Sequence, residues 1–241
     1  MAGRLTPLLP LAFAAVLPAQ ALDLEYRGVI GGAEAGSAYV RVESDGERYR
    51  VRGRMRTHGM WDVLAPWNAR FVVTGHIEEG RAIPETLVLH EKDRRKDRTI
   101  RVADGVLRQL KDGKLRPERA APAGVDLMSA LWVHARCEAE QVLNNGRHFY
   151  TMTRTAHAVG EDGVERCEYN IVDDEGDRSK GRIELALRGG RQVPLLVLID
   201  EGIARGLELV EAGRGPLFED WEDAPVPAAV LGPDREAPAG P

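Results

Sequence analysis

The sequence predicts a mostly β fold: an antiparallel meander curled into a barrel or half-barrel, with one main helix at about 126–140. Three observations predict it. Apolar residues recur mainly at every second position, as in strands with one wet face. Turn sequences recur at short intervals, and one long segment keeps a helical spacing.

The elements follow in order. Leu22, Leu24 and Tyr26 alternate with Asp23, Glu25 and Arg27, which marks a first strand. Residues 38–43 form a second candidate. Tyr49, Val51 and Gly53 alternate with Arg50, Arg52 and Arg54 in a third. Gly59 to Trp67 then reads as a short helix or helical turn stopped by Pro66. Strand candidates resume at 70–78, at Leu87 to His90, at 98–103 and at 105–110. Asp126 to Glu140 is the main helix, with Leu127, Leu131 and Ala135 on one face and Met128 and Trp132 beside it. Pro122 and Gly124 break the chain before it, and Asp126 fits the N-cap. Further strands are expected at 147–157, 164–172, Ile183 to Arg188, 193–199 and 205–211.

The punctuation agrees. Ser44-Asp45-Gly46, Ala103-Asp104-Gly105, Lys111-Asp112-Gly113 and Asn144-Asn145-Gly146 place glycine after an acid or amide, where tight hairpins need positive φ. Glu79-Gly80, Gly160 to Gly163 and Gly189-Gly190 punctuate the remainder. A long meander of this kind needs closure or a cover for its edges. No internal repeat is visible.

The first twenty-one residues read as a secretory signal. Arg4 precedes the apolar run Leu8 to Leu17, and Ala19-Gln20-Ala21 offers a small-residue site with cleavage between Ala21 and Leu22. The apolar run is too short for a bilayer span, so no transmembrane segment is expected in the mature chain, and no cysteine follows for a lipid anchor. The expected compartment is the periplasm. Residues 22–218 then form a single β-rich domain. The tail 219–241 holds six acids against Arg235 alone, with many Pro, Ala and Gly, and reads as disordered. The body is nearly neutral, which excludes a field for nucleic acid or anionic lipid. Cys137 and Cys167, the two cysteines of an exported chain, read as one disulfide, stabilising by about 3–4 kcal/mol on chain-entropy grounds. Nothing near either thiol suggests an activated nucleophile.

A family resemblance rests on the helix start Gly124-Val125-Asp126-Leu127-Met128-Ser129-Ala130-Leu131. It resembles a D-x-x-S-A segment of domain-of-unknown-function family 3108, exported bacterial β-rich proteins. Other features agree in order: Gly28 with Gly36, Thr57-His58-Gly59, Gly75 before Ile83-Pro84-Glu85, the basic strand 92–101, Asn145-Gly146-Arg147 before Tyr150, Cys167, and Val193-Pro194-Leu195. The resemblance spans about residues 24–210. It implies an exported, barrel-like fold and carries no catalytic residue.

The chemistry-bearing groups read mostly as structure. Asp126 and Ser129 are a helix cap and first-turn residue; no G-x-S-x-G elbow accompanies them. Asp173, Glu175, Asp177 and Glu184 have partial calcium-loop spacing, but position six is Arg178 and strands flank it, so a hairpin tip is expected. The histidines 58, 76, 90, 134, 148 and 157 show no paired metal spacing, and no metal or cofactor is expected. His134 and Glu138 fit a helical i, i+4 contact. Glu91 to Arg101 reads as a solvated strand face. Gly31 to Gly36 lacks the Lys-Ser/Thr of a phosphate loop and reads as a turn. Trp61, Trp67, Met128 and Trp132 are the expected pocket residues, since aromatic walls and flexible methionines suit an apolar ligand.

Three functional readings follow in order of preference. The first is a non-catalytic envelope protein binding a lipid-like ligand in its β cavity. The second is a cell-envelope scaffold or interaction module that meets a protein partner through its sheet edges and acidic tail. The third is an envelope hydrolase using acids such as Asp62 and Asp126. If the signal reading is right, intact mass of the exported chain will start at Leu22; a chain that keeps Met1 would defeat it.

Overall fold

The computed structural model describes residues 20–213 and 227–231. Among these residues, sixteen strands pair almost throughout with their sequence neighbours. The first half comprises β1 (Gln20–Ile30), β2 (Ala33–Ser44), β3 (Arg48–Thr57), helix α1 (Met60–Leu64), β4 (Trp67–Glu78), β5 (Arg81–Asp93), β6 (Asp97–Ala103) and β7 (Val106–Lys111). Three two-residue strands follow: β8 (Lys114–Leu115), β9 (Arg119–Ala120) and β10 (Val125–Asp126). The second half holds α2 (Leu127–Trp132), β11 (Glu140–Asn144), β12 (Phe149–Val159), β13 (Glu165–Asp173), β14 (Arg178–Arg188), β15 (Arg191–Asp200) and β16 (Ala204–Gly213). A last helix, α3 (Ala228–Leu231), lies in the tail.

β16 pairs antiparallel with β1, so the two halves join into one sheet running from β10 through β16 and β1 to β8, with β9 also on β7. Among the described residues, only β10 and β11 run parallel. The sheet is barrel-like but not closed: it ends at β10 and β8. Side chains bridge this seam. β10 packs on β5, and the Cα of Gly146 faces the side chains of Leu87, Ile100 and Val102. Register shifts in β1, β4, β12 and β14 increase local twist and help the sheet curl.

Alternation sets the core. Leu24 and Tyr26 of β1, Val40 and Val42 of β2, Val51 of β3, and Phe71 and Val73 of β4 are wholly or almost wholly buried. α2 touches β3, β5, β10, β11 and β15, so it lies within the curve. Its Trp132 stacks on Phe71 at 5.6 Å between ring centres and meets Tyr26 edge-on at 6.2 Å. The Trp132 indole N–H donates to the Tyr26 hydroxyl at 3.1 Å, and that hydroxyl donates to the Pro194 carbonyl at 3.1 Å. Gly53 makes this possible, because a Cβ there would lie 2.1 Å from the Phe71 ring.

Four expectations change. The main helix ends at Trp132 rather than near 140. Beyond it, strand residues claim the backbone: Arg154 donates its guanidinium to the Cys137 carbonyl, Tyr169 donates to Glu138 O, and the Arg154 amide donates to Ala139 O. His134 and Glu138 are therefore not on one helix, though they stay 3.9 Å apart. The first helix is shorter too, five residues where Gly59 to Trp67 was expected. Arg98 and Arg101 are buried rather than solvated, because β6 is covered on both faces; Arg98 pairs with Glu91. Within the tail read as disordered, α3 packs on β6 and β7 with Val230 fully buried; the rest of 219–241 lies outside the described residues, as do positions 1–19 of the signal.

Trp132→Ala should lower stability by about 3–5 kcal/mol, and Tyr26→Phe by about 1–3 kcal/mol because it strands a buried indole donor. Urea unfolding followed by circular dichroism checks both; equal, near-zero losses would contradict this packing.

Candidate functional site

One mouth of the barrel lies where β1, β3 and β15 end and β2, β4 and β16 begin. There the chain between β3 and β4 folds over the opening as α1. Thr57 Oγ1 accepts from the Trp67 amide at 2.9 Å, and Ala65 N–H donates to Trp61 O at 2.8 Å, which closes this connection on itself. Beneath it is a cleft of about 440 Å³. Trp61, Trp67, Met55, Val29, Ile30 and Leu207 form its apolar walls. Gly28, Gly36 and Gly206 also line it, and Gly36 and Gly206 lie so close to neighbouring backbone that a Cβ would come within 2.3 Å of Arg56 O and 1.8 Å of Val197 O. Gly28 and Gly36 are direct cross-strand partners. Arg56 and Arg205 also line the cleft. α1 buries none of its residues, and Met60, Val63 and Leu64 are exposed, as is Ile203 of the neighbouring β15–β16 turn.

The expected pocket residues therefore separate. Trp61 and Trp67 come together at this mouth. Met128 and Trp132 do not join them; both are buried in the central core. Sequence reasoning missed Met55, Leu207 and the three glycines.

A second hollow, about 150 Å³, lies beside α2 between Leu127, Leu131, Leu143, Met152, Ile171 and Ile183. It is almost wholly apolar except for Asn145, Tyr150, Ser179 and Glu201. An apolar void of this size holds a small hydrocarbon in other proteins.

Asp126 caps α2 as expected: Oδ1 accepts from the Ser129 amide at 2.9 Å. The Ser129 and Tyr49 hydroxyls meet at 2.9 Å. Tyr49 reaches this point because its ring lies over Gly75, where a Cβ would come within 2.6 Å of the phenol oxygen. Burial pushes the Asp126 carboxyl above the ordinary carboxylate range, while bonds from Ser129 pull the other way. Its Oδ2 has no hydrogen-bond partner among the described residues. Burial also raises the Tyr49 phenol and pushes Tyr169 up to about 12. The Asp126 carboxyl and Asn144 border a separate cleft of about 350 Å³ with Pro84, Thr86 and Ala121.

Asp62 and Asp126 do not make a glycosidase pair. Asp62 is exposed on α1, past the far end of β3 from Tyr49. Eight residues of strand, about 26 Å, separate Tyr49 from Thr57, against the roughly 5–10 Å that such carboxylates need. The acids at 173–177 form a hairpin tip, with Asp173 Oδ1 accepting from Glu175 N and Asp177 N at 3.0 and 2.8 Å. Cys137 and Cys167 are joined as a disulfide with Cα atoms 6.0 Å apart.

No family model matches the chain, and no curated protein matches it. Among solved structures it is similar to a β-barrel-like protein of domain of unknown function DUF1849 from Brucella abortus. That likeness has 9% identity and a TM-score of 0.47, over 81% of this chain and 98% of the other. It does not single out family 3108. Likeness of this degree transfers no function.

Because Asp126 has a raised folded value, the folded chain binds its proton more tightly than the unfolded chain. Its contribution is complete below the ordinary carboxylate pKa, about 3.9, and is lost as pH rises through the raised value. Asp126→Asn keeps a capping oxygen and removes this dependence, so the difference in stability between variant and parent should move in the variant's favour as pH rises from 4 toward neutrality. Asp126→Ala should instead lose about 1 kcal/mol through the missing cap. Urea midpoints measured across that pH span check the sign; parallel curves for parent and Asn variant would refute it.

Proposed function

We propose that this chain is an exported, non-catalytic protein of the cell envelope that holds a lipid-like amphipathic ligand in its barrel mouth, with membership of family 3108 part of that reading. One observation carries the proposal: the apolar cleft of about 440 Å³ beneath α1, walled by Trp61 and Trp67. Its shape suits an alkyl segment, since apolar walls reward burial and offer little to a polar solute. Arg56 and Arg205 on the lining suit an acidic headgroup. The exposed Met60, Val63 and Leu64 place further apolar surface on the flap, where a ligand leaving a membrane would first touch. No described helix is long and apolar enough to cross a membrane. The disulfide is compatible with an oxidising compartment. A scaffold role built on the free acidic tail has less support, because Val230 of that tail is buried.

A brominated fatty acid tests the reading. It should quench tryptophan fluorescence in the full chain, and Trp61→Phe with Trp67→Phe should remove most of that quenching. Met55→Trp, which fills the cleft, should weaken binding at least about tenfold, or 1.4 kcal/mol. Native mass spectrometry of protein purified from membranes should find a retained lipid. Absence of quenching, or quenching that survives the double replacement, would overturn the assignment.

A further inference from the structure

Four side chains with metal-binding atoms converge at the sulfur bridge. Cys137, His157, Glu165 and Cys167 each offer one such atom, and these atoms all lie within 4.8 Å of one another. The fold builds this grouping from distant segments. Glu165 and Cys167 share one face of β13, and His157 of β12 is the direct cross-strand partner of Cys167. The register shift between Arg154 and Ala156 determines this. Met152 and Arg154, two apart, face Ile171 and Tyr169; uninterrupted alternation would next turn Ala156 inward, and the extra residue turns His157 there instead. Cys137 arrives from the extended segment after α2, held by the Arg154 guanidinium on its carbonyl.

We propose that these four residues bind zinc when the Cys137–Cys167 bridge is reduced. A dithiol reductant supplies two electrons and two protons, becoming a disulfide while the bridge becomes two thiols. Zinc binding then releases both thiol protons. The imidazole coordinates through Nε2 and the carboxylate through one oxygen. Two thiolates, one imidazole and one carboxylate make the tetrahedral S₂NO set that zinc favours, with Zn–S about 2.3 Å and Zn–N and Zn–O about 2.0–2.2 Å. The sulfurs must part to about 3.8 Å for tetrahedral geometry, and cysteine Cα atoms 6.0 Å apart permit this by side-chain rotation. The His157 Nε2 to Glu165 Oε1 contact of 2.9 Å already holds the two remaining donors side by side. Both sulfurs are buried, whereas His157 is part-exposed, so the ion has an entry side. Disulfide and metal are alternative occupants of one place, the first in oxidising and the second in reducing surroundings.

The experiment uses the full chain, purified oxidised, then reduced with a phosphine under argon and titrated with zinc against a chromophoric chelator. One zinc per reduced chain is expected, and none for the oxidised chain. Cobalt in place of zinc should give thiolate-to-metal charge transfer and tetrahedral ligand-field bands. His157→Ala and Glu165→Ala should each weaken zinc at least tenfold, while leaving the oxidised protein's circular dichroism unchanged. If reduction melts the fold, recovery on adding zinc supports the site, and failure to recover counts against it. No uptake on reduction, equal uptake by oxidised protein, or uptake indifferent to both replacements would overturn the proposal, the last because unfolded thiols alone would then be capturing the metal. None of these outcomes bears on lipid binding at the mouth.

Discussion

A buried indole organises the barrel. Trp132 carries a large apolar surface and one N–H that cannot be left unpaired inside a protein. Both needs are met by residues far away in sequence: Phe71 of β4 supplies the stacking face, and Tyr26 of β1 supplies the acceptor. Tyr26 in turn donates to the backbone at Pro194 of β15. One side chain on a six-residue helix thus ties together strands from both halves of the meander. Gly53 belongs to the same constraint, since any side chain there would displace the Phe71 ring. The curl of the sheet is set by this wedge as much as by the bulges.

Much of the fold could be read in the sequence because the information is local. Alternation at Leu22 to Arg27 and at Tyr49 to Arg54, with the Asp-Gly and Asn-Gly turns, identifies hairpins without knowledge of their partners. The helix end could not be read. Ala135 continues the apolar face, yet the carbonyls at 137–139 are taken by Arg154 and Tyr169, a tertiary competition invisible in a linear pattern. The buried arginines of β6 show the same limit, because a strand covered on both faces loses the alternation of exposure that a solvated face would have.

The candidate site divides similarly. Trp61 and Trp67 stand out as aromatics around a short helix, and they do line the mouth. Met128 and Trp132 satisfy the same description but pack at the centre, where spacing along a helix cannot tell a pocket wall from a core contact. Gly36 and Gly206 belong to this mouth because neighbouring backbone passes where a Cβ would sit, a close approach that a linear pattern does not show. The cap at Asp126 follows from its place before a helical period. The Tyr49 hydroxyl reaches the capped Ser129 only because its ring lies over Gly75, which the assembled sheet alone reveals. His157 is the clearest case: its partnership with the two cysteines depends on a one-residue slip in β12.

A ring of hydrogen-bonded strands fixes its own number, because adding a hairpin means reopening two ladders and changing the circumference everywhere. This sheet stops at β10 and β8, and the gap is bridged by side chains such as those around Gly146. An insertion at either border would disturb only that local packing and leave every existing register intact. Evolution can therefore vary the girth of such a molecule in small steps, by lengthening or trimming the segment between β7 and β10, while Trp132 and its contacts remain as they are.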